Sequence, residues 1–236
     1  KIRSHLDLDI KRIIMKKIII IFVVGLLMQQ MIRAQGTITY LSNLGQSPVG
    51  SEPVASDSWL AIEFGTGNNP SGYLLDSIEL GLANDTGSPN AFTAMIYNLT
   101  NAMVAGLPGS SLGTLDGSAN PSASGIYSYS DNANIILLPN TSYFIVTTAG
   151  TTAVTGAYGW SYANTFSYNE VDGWAVGNNE DRIATFLSSL NGLSWSSSNG
   201  NLQFAISATP IPEPSVLGLL GLGSLFLVRR CRALKN

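Results

Sequence analysis

From residue 36 to residue 209 the chain alternates apolar and polar positions in short runs with a period of two. In "LQFAISA" (202–208), Leu202, Phe204, Ile206 and Ala208 fall on one face, and Gln203, Ala205 and Ser207 on the other. In "DSIELGL" (76–82), Ile78, Leu80 and Leu82 point inward and Glu79 outward. "AFTAMIYN" (91–98) sets Phe92, Ala94 and Ile96 against Thr93, Met95 and Tyr97. "SYFIVTT" (142–148) and "NIILLP" (134–139) are apolar on both faces, as deeply buried strands are, and "SWLAIEFGT" (58–66) and "GIYSYS" (125–130) complete the set. "IATFLSSL" (183–190) fits a short helix or a strand.

Turn residues (Asn, Gly, Ser, Pro) bound these runs, and no 3.6-residue stripe competes with them. The pattern predicts an all-β fold: an antiparallel, jelly-roll-like sandwich over residues 35–209, with one shared core.

The two ends break the pattern. In "MKKIIIIFVVGLLMQQMIRAQG", Met15, Lys16 and Lys17 precede an apolar run from Ile18 to Met28, and Ile32-Arg33-Ala34 offers a small-residue cleavage site. This is the anatomy of a secretory signal peptide, expected over residues 1–34 with Met15 as the true start. At the other end Val216–Val228 is apolar and uncharged, and Arg229, Arg230 and Arg232 follow at once. As a helix the run spans about 20 Å, short of the ~30 Å hydrocarbon core. Counted from Ile211 it reaches 18 residues with Glu213 as the one charge, and the arginines fit a stop-transfer cluster at the inner membrane face. A single C-terminal transmembrane helix is expected here.

Charge sharpens this topology. Between residues 36 and 208 one base, Arg182, stands against twelve acids, a net charge of −11, while the other bases gather at the two ends. Basic ends face the cytoplasm and the acidic middle lies outside. An acidic body repels phosphate backbones, so nucleic acid is not an expected partner. The one Cys, Cys231, and the one His, His5, lie outside the middle, which excludes Cys/His zinc sites, Ser-His-Asp triads and Cys-His dyads there.

Pro212-Glu213-Pro214, the apolar segment and the arginine cluster follow in this order within residues 210–236. That order resembles the PEP-CTERM sorting signal of exported bacterial proteins. The resemblance implies processing near Pro-Glu-Pro by a membrane cysteine protease, the exosortase, as partner, and an association with extracellular polysaccharide. Physically, Pro212 and Pro214 keep the recognition strand extended and out of the helix.

The middle is similar to the choice-of-anchor R domains over roughly residues 54–180. The pieces that carry the similarity include "SWLAIEFGTG", "GYLLDSIELGL", "GLPGSSLGTLDG" (with Leu107 to Leu112), "LLPNTSYFIVTTAG" (with Leu138 to Tyr143), Trp160 and "DGWAVGNN". That resemblance implies an extracellular β-domain and supplies no catalytic residues.

Three groups are candidate sites. Trp160, with Tyr158 and Tyr162 in "AYGWSYANTFSY", is the best sugar-facing candidate, since an exposed ring can cover pyranose C–H groups; packing in the core is the commoner use of large aromatics. Asp172, Glu180 and Asp181 are oxygen-rich and candidates for a structural Ca²⁺, although no EF-hand spacing is present and a solvated acidic turn is the simpler reading. Glu63, Glu79 and Glu170 are the carboxylates available to a glycosidase, which needs two roughly 5–10 Å apart across a cleft. No constellation of residues points to chemistry. The expectation is a non-catalytic, exported cell-surface or matrix protein without a cofactor, structural or adhesive within exopolysaccharide. A carbohydrate-binding module is the first alternative and a glycosidase or lyase the second.

Overall fold

The computed structural model describes residues 36–100, 106–177 and 185–213. Readings that fall on residues 1–34, on Pro214, on Val216–Val228, on Arg229, Arg230 and Arg232, and on Glu180 and Asp181 lie outside the described residues. Among the described residues every regular element is a strand: β1 (Ile38–Ser42), β2 (Gly50–Val54), β3 (Trp59–Gly65), β4 (Tyr73–Gly87), β5 (Thr93–Leu99), β6 (Pro108–Gly117), β7 (Gly125–Ser130), β8 (Ile136–Leu137), β9 (Ser142–Thr148), β10 (Gly156–Ala163), β11 (Asn169–Glu170), β12 (Ala175–Val176), β13 (Thr185–Ser189), β14 (Ser196–Asn199), β15 (Asn201–Leu202) and β16 (Phe204–Pro210). All pairings are antiparallel.

One path of hydrogen-bonded neighbours runs β11-β1-β16-β4-β7-β6-β5-β9-β3-β13-β14. The path turns a corner at β6, which pairs with β5 along Pro108–Leu115 and then with β7 at Asp116 and Gly117. The two arms share one core. Ile62, Phe64, Ile96 and Ile145 from one arm are buried in the same cluster as Ile78, Leu80, Phe204 and Ile206 from the other. The resulting fold is sandwich-like and all-β. Burial of large apolar side chains on the inner faces is its main source of stability, at roughly 25 cal/mol per Å² removed from water.

The alternation predicted for β4, β5 and β16 is realised: Ile78, Leu80, Leu82, Phe92, Ala94, Ile96, Leu202, Phe204, Ile206 and Ala208 are all buried. β9 is buried on both faces. Tyr143 and Ile145 enter the main core, while Phe144 and Val146 join Ala61, Met95 and Leu187 in a second cluster on the far side of that arm. Residues 185–189 resolve as a strand, because Phe186 enters the first cluster and Leu187 the second.

One buried polar side chain is tied down on several sides. Asn43, which is buried, donates from Nδ2 to Asn201 Oδ1 (3.0 Å) and to the Leu202 carbonyl (2.9 Å), and its Oδ1 accepts from the Phe204 N–H (2.8 Å). That side chain covers backbone groups at the short break between β15 and β16 that would otherwise be lost to solvent-free surroundings.

Candidate functional site

The compact unit Gly36–Ile211 ends just before Pro212-Glu213-Pro214, two residues into the segment 210–236. β16 pairs with β4 up to Pro210 opposite Tyr73. One residue further, the Ile211 N–H donates to the Gly72 carbonyl (3.0 Å). Asn69-Pro70-Ser71-Gly72 is the tight turn that leads into β4, closed by the Gly72 N–H to the Asn69 carbonyl (2.8 Å). Pro at the second position and Gly at the fourth suit such a turn. Gly72 has a φ of +79°, and a Cβ there would stand 2.6 Å from the Leu137 carbonyl oxygen. Asn69 Nδ2 then donates to the carbonyls of Gly72 (2.7 Å) and Ile211 (3.1 Å), and the Asn69 N–H donates to the Tyr73 hydroxyl (3.1 Å). Ile211 is thereby latched to the body, while Pro212 and Glu213 are exposed and outside any strand.

The aromatic candidates are placed elsewhere. Trp160 is at 0% exposure and donates its indole N–H to the Gln203 carbonyl (2.9 Å). Tyr158 is buried too, its hydroxyl near Asn120 Oδ1 (3.2 Å) and its ring edge-on to Phe92 at 5.3 Å. Tyr162 is half-buried against the same core. The reason is β10, which lies between β4 and β2 and is buried along almost its whole length. A ring with no open face cannot stack on a sugar, so Trp160 and Tyr158 act in packing, the commoner of the two uses weighed for them. Trp174 is also internal, stacked on Tyr40 at 4.8 Å and on Phe64 at 6.0 Å.

Asp172 occupies a left-handed backbone position (φ 51°) in a turn closed by the Trp174 N–H to the Val171 carbonyl (3.1 Å). Among the described residues no three His, Cys, Asp or Glu side chains converge on a point that suits a metal. The carboxylates are separated by the core. Glu79 alternates with the buried Ile78 and Leu80 on β4 and points off one arm. Glu63 alternates with Ile62 and Phe64 on β3 and points off the other. Burial raises the pKa of Glu63, opposed by a hydrogen bond with the Ser142 side chain. Its Oε1 is buried without a hydrogen-bond partner among the described residues. Glu170 lies on β11 opposite Leu41.

The geometry defines an all-β body that hands its last strand directly to an exposed Pro-Glu dipeptide. Residues 210–233 match the model of the PEP-CTERM protein-sorting motif. That motif implies an exported protein, anchored at the membrane before processing by exosortase, a membrane protease. No helix among the described residues is long and apolar enough to cross a membrane. No curated protein matches the chain. Among solved structures, the crystal structure of the infectious bursal disease virus VP2 subviral particle aligns at 15% identity over 84% of this chain and 47% of that one, with a TM-score of 0.17. The chain thus spans about half the length of that protein, and so low a score carries no argument. The latch residues Asn69, Gly72 and Ile211 were not singled out by the alternation pattern. The turn signal "NPSG" marks one half of the latch, and its partner lies over a hundred residues away in sequence.

Proposed function

We propose that this chain is an exported, non-catalytic surface protein whose β-body is delivered to the outer side of the membrane and held there by the segment 210–236 until exosortase cuts near Pro212-Glu213-Pro214. The observation that carries the reading is the sorting motif at 210–233, whose first two residues, Pro210 and Ile211, are the latched end of the body. Val216–Val228 acts as the membrane helix and Arg229, Arg230 and Arg232 as its stop-transfer cluster. The body is a jelly-roll-like module of the choice-of-anchor R kind, with a structural or adhesive role in extracellular polysaccharide. The absence of an enzymatic role is supported by the separation of Glu63 and Glu79 on opposite outer faces.

The test replaces Pro212, Glu213 and Pro214 with alanines in the exporting cell. Wild type should leave the membrane fraction as a shortened chain, and the variant should stay there at full length. Identical fractionation and identical migration of the two would defeat the sorting claim.

A further inference from the structure

The register around the latch gathers apolar side chains that are exposed or half-buried among the described residues. Tyr73 of β4 pairs with Pro210 of β16 on one side and Leu137 of β8 on the other. Tyr73 and Leu137 are buried, so their neighbours along each strand point off the outer face. Leu74 lies beside Ile136 in one row. In the next row Ile211, bonded to Gly72, stands on one side of that glycine, and Leu138 follows Leu137 on the other. Gly72 contributes no side chain, so Ile211 and Leu138 flank a stretch of bare backbone. Ile136 is 55% exposed and Leu138 57%, with Leu74 and Ile211 half-buried beside them. Isolated surface leucines need no explanation; four apolar residues in two adjacent rows at the point of chain exit do.

From this placement we infer that the patch Leu74, Ile136, Leu138 and Ile211 docks on the lipid surface while the protein is tethered. The inference rests on the membrane-tether reading above. Four residues separate Ile211 from the apolar run beginning at Val216. Even fully extended, that stretch reaches at most about 18 Å. The headgroup zone on each side of a bilayer is itself several ångströms deep, so the end of the body bearing Ile211 is held within reach of it. Tethering raises the effective concentration of the surface, so a small patch suffices.

Charge narrows the kind of contact. The next residue on the outer face of β4 is Asp76, which accepts from Thr209 Oγ1 (2.8 Å). The sequence from 36 to 208 holds one base, Arg182. Attraction is therefore apolar, and anionic headgroups oppose it.

The experiment uses the full chain with Cys231→Ser, reconstituted in phosphatidylcholine vesicles, with a nitroxide label on Ile136→Cys, Leu138→Cys, or the control sites Val154→Cys and Leu193→Cys, which are 97% and 83% exposed in the parent. Flotation that is lost when Val216–Val228 is deleted reports the tether, and the ratio of oxygen to water-soluble nickel-chelate accessibility reports depth. The ratio should be several-fold higher at 136 and 138 than at 154 and 193. It should fall to the control level at 136 when Leu138→Asp is added, and fall when phosphatidylglycerol replaces half of the lipid. Vesicles that float with the protein while all four labels stay water-exposed leave the tether standing and overturn the docking. Dipolar broadening between labels at 136 assigns the patch to a second copy and overturns it as well. A chain that does not float overturns both the tether and the docking.

Discussion

The Ile211 N–H meets the Gly72 carbonyl at 3.0 Å, one residue before Pro212. With the Asn69 Nδ2 bond to the Ile211 carbonyl, it marks where the compact body stops, just before Pro212-Glu213-Pro214. Just upstream β16 is held by its pairing with β4, and Pro212 and Glu213 downstream are exposed.

Asn69→Ala removes the Nδ2 donors that hold Gly72 and Ile211. We expect a loss of ~1–2 kcal/mol in chemical denaturation, with faster amide exchange at Ile211 and unchanged exchange at Ile206. Gly72→Ala forces a Cβ into a left-handed position and against the Leu137 carbonyl. It should cost at least as much, in the range ~1–3 kcal/mol.

Asn43→Ala leaves the Phe204 N–H and Asn201 without their buried partner. A destabilisation of ~2 kcal/mol or more is expected from urea unfolding. A change within a few tenths would mean that solvent reaches this site in the folded state.

Trp160→Ala opens a cavity in the main core and removes one of the two donors to the Gln203 carbonyl, which keeps the Gly81 N–H (3.0 Å). The expected loss is ~3–5 kcal/mol. Any loss of glycan binding in that variant would accordingly report unfolding, which a thermal melt run in parallel distinguishes from the loss of a contact.

Glu63 is an acid whose pKa is raised by burial in the folded state. Its folded form binds the proton more tightly than its unfolded form. The associated stability is present below the ordinary carboxylate pKa and is lost as pH rises through the raised value. Wild type minus Glu63→Gln, measured by urea unfolding between pH 4 and pH 8, should therefore decline as pH rises. A flat or rising difference contradicts the burial of this carboxyl.

Much of this architecture was legible from local patterning. β7 and β9 occupy the residues read as strands, β9 buried on both faces as its apolar run requires, and Ile78, Leu80 and Leu82 face the core as their spacing requires; the apolar run 134–139, read as deeply buried too, forms only the short β8 and leaves Ile136 and Leu138 exposed. What could not be read was long-range pairing. β2 contains Glu52 and Pro53 and has no apolar period, yet it forms by pairing with β10. The face of Trp160 that sequence alone leaves open to a sugar is closed by the main core cluster into which it packs. Residues 183–190 were ambiguous because Phe186 and Leu187 are adjacent apolar residues; a strand between two apolar clusters satisfies both, and no local signal reports the second cluster. At the chain exit, the Pro-Glu-Pro tripeptide was plain in the sequence, whereas the latch on Ile211 depends on a turn 142 residues away.

The central claim is that the folded body survives while the segment beyond it is cut away at the membrane. Intact-mass measurement of the exported, mature protein tests it most directly. The account predicts a chain that still contains Ile211 and lacks Val216–Val228. A mature chain that retains the apolar run, or one that ends inside β16, would contradict it.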